Sequence, residues 1–302
     1  MQSAAVVPIL PRIRLKRILC ATDFSAGSTM ALPVVASLAR RYGAEVLVSN
    51  IWAPMPYTMV TPETVGILEK QQEYAARQKL VEFLRLAGNL GITPRAIIRS
   101  GDPVEEIEQI VREQAIDLAV ISTHGRVGFK HLAMGSVAEA LFRNLSCPVL
   151  TVGPHLAHRF LGTVEIRNIL FPTDLSEDSQ AVFAYLASLA DEYSAKITVL
   201  HVLPAETKEN PDAKSLAEPL RKEMMRIFNP WVSPRSEAEF VIDSGDPSAT
   251  ILRYAHDLNA DLIGFGIRKA NDIITHLRNT VAYKVILEAH CPVLTQRLRH
   301  QW

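Results

Sequence analysis

Three cysteines in 302 residues are too few for a disulfide framework, and no Cys/His spacing has the form of a zinc site. Long apolar runs are missing too: no uninterrupted stretch approaches the roughly 20 residues of a helical membrane span. Net charge is likewise absent. Lys+Arg and Asp+Glu both number 32, so the formal net charge is zero. That removes the long-range attraction on which general nucleic-acid binding depends, leaving room only for a local basic pocket. The opening Ala4-Ala5-Val6-Val7-Pro8-Ile9-Leu10 is short and has its basic residues after it (Arg12, Arg14, Lys16, Arg17), the wrong order for a secretory signal. It reads as an arm leading into the first strand of a cytoplasmic protein. Two nucleotide motifs are absent: there is no Gly-x-x-x-x-Gly-Lys-Ser/Thr loop, and no Gly-x-Gly-x-x-Gly follows the first strand. What remains is an ordinary globular composition, 48% hydrophobic and 21% charged, long enough for two domains of about 150 residues each.

What is present is a repeat. Cys20-Ala21-Thr22-Asp23-Phe24-Ser25 answers to Phe171-Pro172-Thr173-Asp174-Leu175-Ser176 at an offset of 151. Gly101-Asp102-Pro103 returns as Gly245-Asp246-Pro247, and Cys147-Pro148-Val149-Leu150 as Cys291-Pro292-Val293-Leu294, both at an offset of 144. The second copy is therefore about seven residues shorter between its second strand and its Gly-Asp-Pro turn. A period this long points to two complete domains, not to a solenoid of roughly 20–50-residue units. The expected domains are 1–155 and 165–302, with the boundary around Gly153–Val164.

Each copy alternates β-branched apolar runs with amphipathic helices, the pattern of a parallel sheet covered on both faces. The spacing predicts strands at Arg17–Thr22, Glu45–Ile51, Arg95–Arg99, Leu118–Ser122 and Val149–Val152. The second copy predicts Asn168–Thr173, Lys196–Val202, Ala238–Ile242, Leu262–Phe265 and Val293–Gln296. Ala31, Val34, Val35 and Leu38 form a helical stripe that Val182, Tyr185, Leu186 and Leu189 repeat. The longest helix is predicted from Thr61 as N-cap and Pro62 in the first turn to Gly88 or Gly91. In each Gly-Asp-Pro turn, Asp caps a helix and Pro is its first residue.

Ligands of open parallel sheets sit beyond the carboxyl ends of the strands. There the turn carrying Asp23 meets the loop Ser122-Thr123-His124-Gly125-Arg126-Val127-Gly128, which continues to Gly135-Ser136-Val137. Gly125 and Gly128 let the backbone curl with exposed N–H groups, a cradle for an anion. Gly135-Ser136 then opens a helix whose free N–H groups and positive dipole end face the same place. Ser136 adds a hydroxyl; His124, Arg126 and Lys130 add donors or charge. This is a phosphate site made of backbone. The competing reading of the same residues is a glycine-rich connector in which Ser136 merely caps the helix. No paired base and nucleophile accompanies the loop, and His124 is a contact rather than a catalyst.

With these residues in view, the chain resembles a tandem universal stress protein over essentially its full length. ATP-binding members of that family carry Gly, two residues, Gly, nine residues and then Gly-Ser or Gly-Thr after the fourth strand. Here the pattern is Ser122-Thr123-His124-Gly125, nine residues, Gly135-Ser136, with only the first glycine changed, to Ser122. The resemblance implies two tandem doubly wound α/β domains of the adenine nucleotide alpha hydrolase-like type, strand order 3-2-1-4-5, paired as an internal pseudo-dimer through their final strands. Further homodimerisation is left open. It implies ATP as ligand, with Mg²⁺ as an allowed companion. Asp23 would face adenine or ribose and Ile51 would lie against adenine. Ile121, His124, Gly125, Gly135, Ser136 and Val137 would surround the phosphates, with Ser122 near the ribose.

The second copy departs from the pattern. Gly266 takes the place of Ser122, Lys269 that of the second glycine and Asn279 that of the third, while Thr280 keeps the hydroxyl and Asp174 and Val202 persist. A lysine and an asparagine where the backbone must approach an anion disfavour a tight phosphate cradle. Three functions compete. One is an ATP-binding stress or regulatory protein that is not an enzyme, another an interaction protein with relic glycine loops, and the third an ATP-using enzyme of a related fold. The third needs a Ser-Gly-Gly or His-x-x-His element after the first strand, and Asp23-Phe24-Ser25-Ala26-Gly27-Ser28 has neither.

Overall fold

The computed structural model of the chain describes residues 13–53, 62–123, 134–156, 164–206, 211–267 and 280–297. They divide into two compact units, Arg14–Val164 and the remainder from Glu165 onward. Ile13 goes with the second unit, where its amide donates to Ser188 Oγ at 2.8 Å.

The first unit runs β1 (Arg17–Ala21), α1 (Ala26–Tyr42), β2 (Glu45–Trp52), α2 (Pro62–Asn89), β3 (Arg95–Ser100), α3 (Pro103–Glu113), β4 (Leu118–Ser122), α4 (Ser136–Asn144) and β5 (Val149–Val152). The second repeats it as β6 (Asn168–Pro172), α5 (Glu177–Tyr193), β7 (Lys196–Leu203), α6 (Pro211–Phe228), β8 (Glu237–Ser244), α7 (Pro247–Asp257), β9 (Leu262–Ile267), α8 (Val281–Glu288) and β10 (Val293–Arg297). Within the first unit the strands lie in the order β3-β2-β1-β4-β5, every neighbour parallel. Within the second the order is β8-β7-β6-β9-β10, again all parallel. Both are doubly wound sheets of order 3-2-1-4-5, whose order reverses between the first and fourth strands, where such folds open a crevice.

Strand ends differ from the sequence reading by a residue or two, for local reasons. β1 stops at Ala21 because the Thr22 hydroxyl accepts from Phe24 N and starts the turn. β8 runs longer than foreseen because it pairs with β7 over eight residues, Lys196↔Glu237 to Leu203↔Ser244. Thr61, the expected cap of α2, lies outside the described residues.

The turns behave as their chemistry dictates. Asp102 accepts from Val104 N and Glu105 N at 2.9 and 3.1 Å, and Asp246 accepts from Ala249 N at 2.9 Å; each is followed by proline at the helix start. Gly101 and Gly245 hold φ of 146° and 150°, values closed to side-chain-bearing residues. Gly264 is glycine for another reason: a Cβ there would fall 2.3 Å from Leu186 Cδ1, so α5 packs directly on the backbone of β9.

Ile18, Leu47, Val48, Ala119 and Val120 are fully buried in the first core; Phe171, Phe183 and Phe228 are fully buried in the second. Cys20, Cys147 and Cys291 are buried free thiols, and burial pushes the Cys20 pKa up to about 12, so at neutral pH it is a packing group and not a nucleophile.

One carboxylate ties the start of each sheet. Asp117 Oδ2 accepts from Lys16 N and Arg17 N at 2.7 and 2.9 Å; Asp261 Oδ2 accepts from Arg167 N and Asn168 N at 2.8 and 2.9 Å. Asp261 is 8% exposed, so its loss leaves two amides to be repaired in a confined place. Asp261→Ala is expected to lower the stability of the second domain by about 2–3 kcal/mol, from two charge-assisted bonds. Urea unfolding measures this; an unchanged midpoint would mean that water replaces the carboxylate without loss.

Candidate functional site

The turn after β1 is shaped by short polar side chains. Thr22 Oγ1 accepts from Phe24 N at 2.9 Å, and Asp23 Oδ1 accepts from Ser25 N at 3.0 Å and from Ser28 Oγ at 3.2 Å. Asn50 Nδ2, on β2, donates to Thr22 O at 2.8 Å and ties the turn to the neighbouring strand. The chain passes through Phe24 at φ 63°, a left-handed conformation that costs a non-glycine residue roughly 1 kcal/mol or more. The Phe24 ring is anchored edge-on to Phe83 of α2, centroids 6.0 Å apart. The result is a rigid turn carrying the half-buried Asp23 at the mouth of the sheet.

Beyond the carboxyl ends of β1, β2 and β4 lies a cavity of about 770 Å³, within the range of small-molecule sites. Asp23, Ile51, Ile121, Ser122, Gly135, Ser136 and Val137 all line it, so seven of the nine residues singled out from sequence come together around one cavity. His124 and Gly125 lie outside the described residues. Ile121 is 3% exposed. Gly135 N donates to Thr123 O at 2.9 Å, holding the start of α4 against the end of β4. The first N–H groups of α4 have no partner within the helix and sit at its positive end.

Gly135 is the informative position. It is the N-cap of α4 at φ −60° and ψ 145°, a conformation open to any residue. Among the described residues a Cβ built there would meet nothing closer than Thr123 O at 3.8 Å. Neither backbone strain nor packing against the described residues requires glycine. Glycine is itself a serviceable N-cap, and its small size leaves the first N–H groups of α4 open toward the cavity that Gly135 lines. Ser136 is exposed and is the first helical residue, not the N-cap, so the connector reading in which it merely caps the helix does not describe it.

The second domain keeps the turn and changes the rest. Thr173 Oγ1 accepts from Leu175 N at 3.0 Å, Asp174 Oδ1 accepts from Ser176 N and Ser179 Oγ at 3.1 and 2.7 Å, and Leu175 takes φ 63°. His201 replaces Asn50, its Nδ1 donating to Thr173 O at 2.8 Å. At the last helix the roles shift by one residue. Thr280, equivalent to Ser136, is the N-cap of α8 and accepts from Tyr283 N at 3.3 Å. The hydroxyl presented to the cavity in the first domain is spent on the helix in the second. Arg268, Lys269 and Asn279 lie outside the described residues.

One wall of the cavity escaped the sequence reading. α2 contributes Gln72, Ala75, Ala76 and Lys79 at helical spacing, and β2 contributes Ser49 below Ile51. The available signal for Ser49 was a polar residue in an apolar strand whose second-domain counterpart is Leu200. Among the described residues no group of three or more His, Cys, Asp or Glu side chains is placed to hold a metal ion.

Comparison with known proteins matches residues 14–153 and 165–297 to the model of the universal stress protein family. A universal stress protein of Thermus aquaticus is 31% identical over 139 residues, 45% of this chain and 98% of that protein. One from Methanocaldococcus jannaschii is 27% identical over 138 residues, 45% of this chain and 81% of that protein. The crystal structure of a universal stress protein from Archaeoglobus fulgidus shares the fold with TM-score 0.71 at 20% identity, covering 94% of this chain and 99% of that one. With a match to the family model in each half, the chain belongs to the universal stress protein family as a tandem of two such domains.

Proposed function

We propose that this chain is an adenine-nucleotide-binding regulatory protein of the stress response, with one ATP held by its first domain. The observation that carries the reading is the convergence of Asp23, Ile51, Ser122 and the Gly135-Ser136 helix start on one cavity at the carboxyl ends of the strands. In this reading Asp23 and Ile51 hold the nucleoside end. Ser122 lies near the ribose, and Ile121, His124, Gly125, Gly135, Ser136 and Val137 surround the phosphates, which backbone N–H groups and a hydroxyl hold. ATP, with or without Mg²⁺, supplies the triphosphate that these donors neutralise. The second domain, with Thr280 engaged as a cap and its glycines replaced, contributes no phosphate site. The pairing of the two domains as an internal pseudo-dimer, the adenine nucleotide alpha hydrolase-like classification and a cytoplasmic location belong to the same proposal and rest on the family resemblance. No described helix is long and apolar enough to cross a membrane.

Universal stress proteins are in general non-catalytic regulatory proteins, in agreement with the expectation of a chain that is not an enzyme. Fast phosphoryl transfer needs a positioned nucleophile and concentrated positive charge on the transferred group. Backbone donors and a serine hold a triphosphate without singling out its transition state. Calorimetry with ATP and Mg²⁺ is expected to give one site per chain, and ATP at 100 times its Kd is expected to stabilise the first domain by about 2.7 kcal/mol. Two equivalent sites would overturn the division of roles between the domains. No binding and no thermal shift would leave an interaction protein instead, and steady-state turnover of about one per second or faster would make the chain an enzyme.

A further inference from the structure

Two outer strands of the molecule carry opposite charge at matching positions. β3 in the first domain and β8 in the second are each hydrogen-bonded on one side only among the described residues, β3 to β2 and β8 to β7. An unpaired edge is a template for another strand. Apart from Phe240, no residue of either strand is buried. On one face β3 presents Arg95, Ile97 and Arg99, and the residues 144 later, on β8, are Glu239, Val241 and Asp243. The registers agree: Arg95 lies beside Leu47 and Glu239 beside Thr198, and those two neighbours are 151 residues apart. The inner strands are inverted with the outer ones. Glu45 of β2 holds Arg95 at 3.0 Å, and Lys196 of β7, again 151 later, holds Glu239 at 2.6 Å. A cross-strand pair inside one domain serves with either sign. What the inversion changes is the sign of the outer strand, basic in the first domain and acidic in the second.

We propose that β3 of one copy of the chain docks along β8 of a second copy, joining copies head to tail. The proposal does not depend on what the cavity binds. Side by side, either relative direction of the strands sets an arginine of β3 against a carboxylate of β8 at both ends, with Ile97 against Val241 between them. Such cross-strand pairs contribute about 0.2–1 kcal/mol each, in addition to the hydrogen bonds of the two free edges. The same residues oppose pairing of like with like. β3 on β3 sets arginine against arginine, and β8 on β8 sets carboxylate against carboxylate. Arg99 and Asp243 are engaged on their own chain, with Glu106 at 3.3 Å and Arg253 at 2.5 Å. Arg95 and Glu239 also have partners there but keep 48% and 49% of their side chains in solvent. A guanidinium and a carboxylate each accommodate more than one partner. The contact joins two different surfaces, so copies add into a chain or close into a ring. β3 has only six residues, which makes the contact small and weak.

Sedimentation of the full chain at low salt, from about 1 to 500 µM, tests this. The wild type is expected to gain mass with concentration, and about 0.5 M NaCl is expected to weaken the association at least about tenfold. Arg95→Glu/Arg99→Glu has two acidic edges and Glu239→Arg/Asp243→Arg two basic ones; each alone is expected to show no gain in mass. Their equimolar mixture is expected to regain it, because every edge of one variant then meets an edge of opposite sign on the other. Melts of each variant check the fold, and if one unfolds, the wild-type salt series still decides. A wild-type mass independent of concentration or an association unmoved by salt would overturn the proposal. So would association that survives in either variant alone, or a mixture that stays monomeric although both variants melt as the wild type does.

Discussion

Gly135→Val is expected to abolish ATP binding, lowering affinity at least about a hundredfold, or 2.7 kcal/mol, while leaving the fold intact. The two halves of this expectation come from different facts. The backbone at Gly135 already has a conformation that valine adopts, and among the described residues the first added carbon meets nothing closer than 3.8 Å. Valine is a poor N-cap, which costs about 1 kcal/mol and shifts the melt by a few degrees at most. The branched side chain, however, would stand over the start of α4, where a phosphate must approach the first N–H groups to gain from them. Asn279→Val, at the equivalent place in the second copy, is expected to leave affinity unchanged. Calorimetry on both variants decides the matter. Undiminished binding by the first variant would move the ligand away from the helix start, and loss only in the second would exchange the roles of the domains.

Phe228→Ala is expected to cost the second domain about 3–5 kcal/mol, the range for emptying a fully buried aromatic site. Phe228 ends α6 and is fully buried, its ring 4.7 Å from Phe183 and 5.6 Å from Phe171, which are themselves 5.2 Å apart. Three mutually tilted rings make each removal felt by the other two. The first domain has Cys20 and Leu32 in place of Phe171 and Phe183 and fills the same region with smaller groups. A loss of this size corresponds to a fall in melting temperature of roughly 10–20 °C for a domain of this length. The transition that ATP stabilises should stay where it was. A single transition moving as a whole would instead show the two domains unfolding as one cooperative unit.

The parts of this molecule legible in the sequence are those governed by local rules. Strand and helix positions follow from apolar periodicity. The Asp102 and Asp246 caps follow from Gly-Asp-Pro, and the correspondence of the domains follows from the repeat. The cavity wall formed by Asp23, Ile51, Ile121, Ser122 and the Gly135 helix start was reachable because all five places lie at the carboxyl ends of strands or just beyond. What they hold is for the titrations to decide. Gln72 was not legible, because nothing in a solvent-facing run of Gln, Glu and Lys says which residue looks across to another element. Nor were the Asp117 and Asp261 clamps, since their partners are backbone amides about a hundred residues earlier. The one-residue shift that makes Thr280 a cap and Ser136 a first helical residue is likewise invisible in an alignment that pairs them.

The clamps also bear on how the chain is made. β1 is the middle strand of its sheet, yet the carboxylate that fastens its start lies 100 and 101 residues downstream of the amides it holds. At translation rates of about 5–20 residues per second, β1 is synthesised about 5–20 s before Asp117 exists. In that interval its apolar run can pair with β2 on one side only, and its other edge is exposed to any other strand. The second domain repeats the delay, with separations of 93 and 94 residues between Asp261 and its amides. A duplicated fold that begins with its own central strand thus passes twice through a half-built sheet during a single round of synthesis.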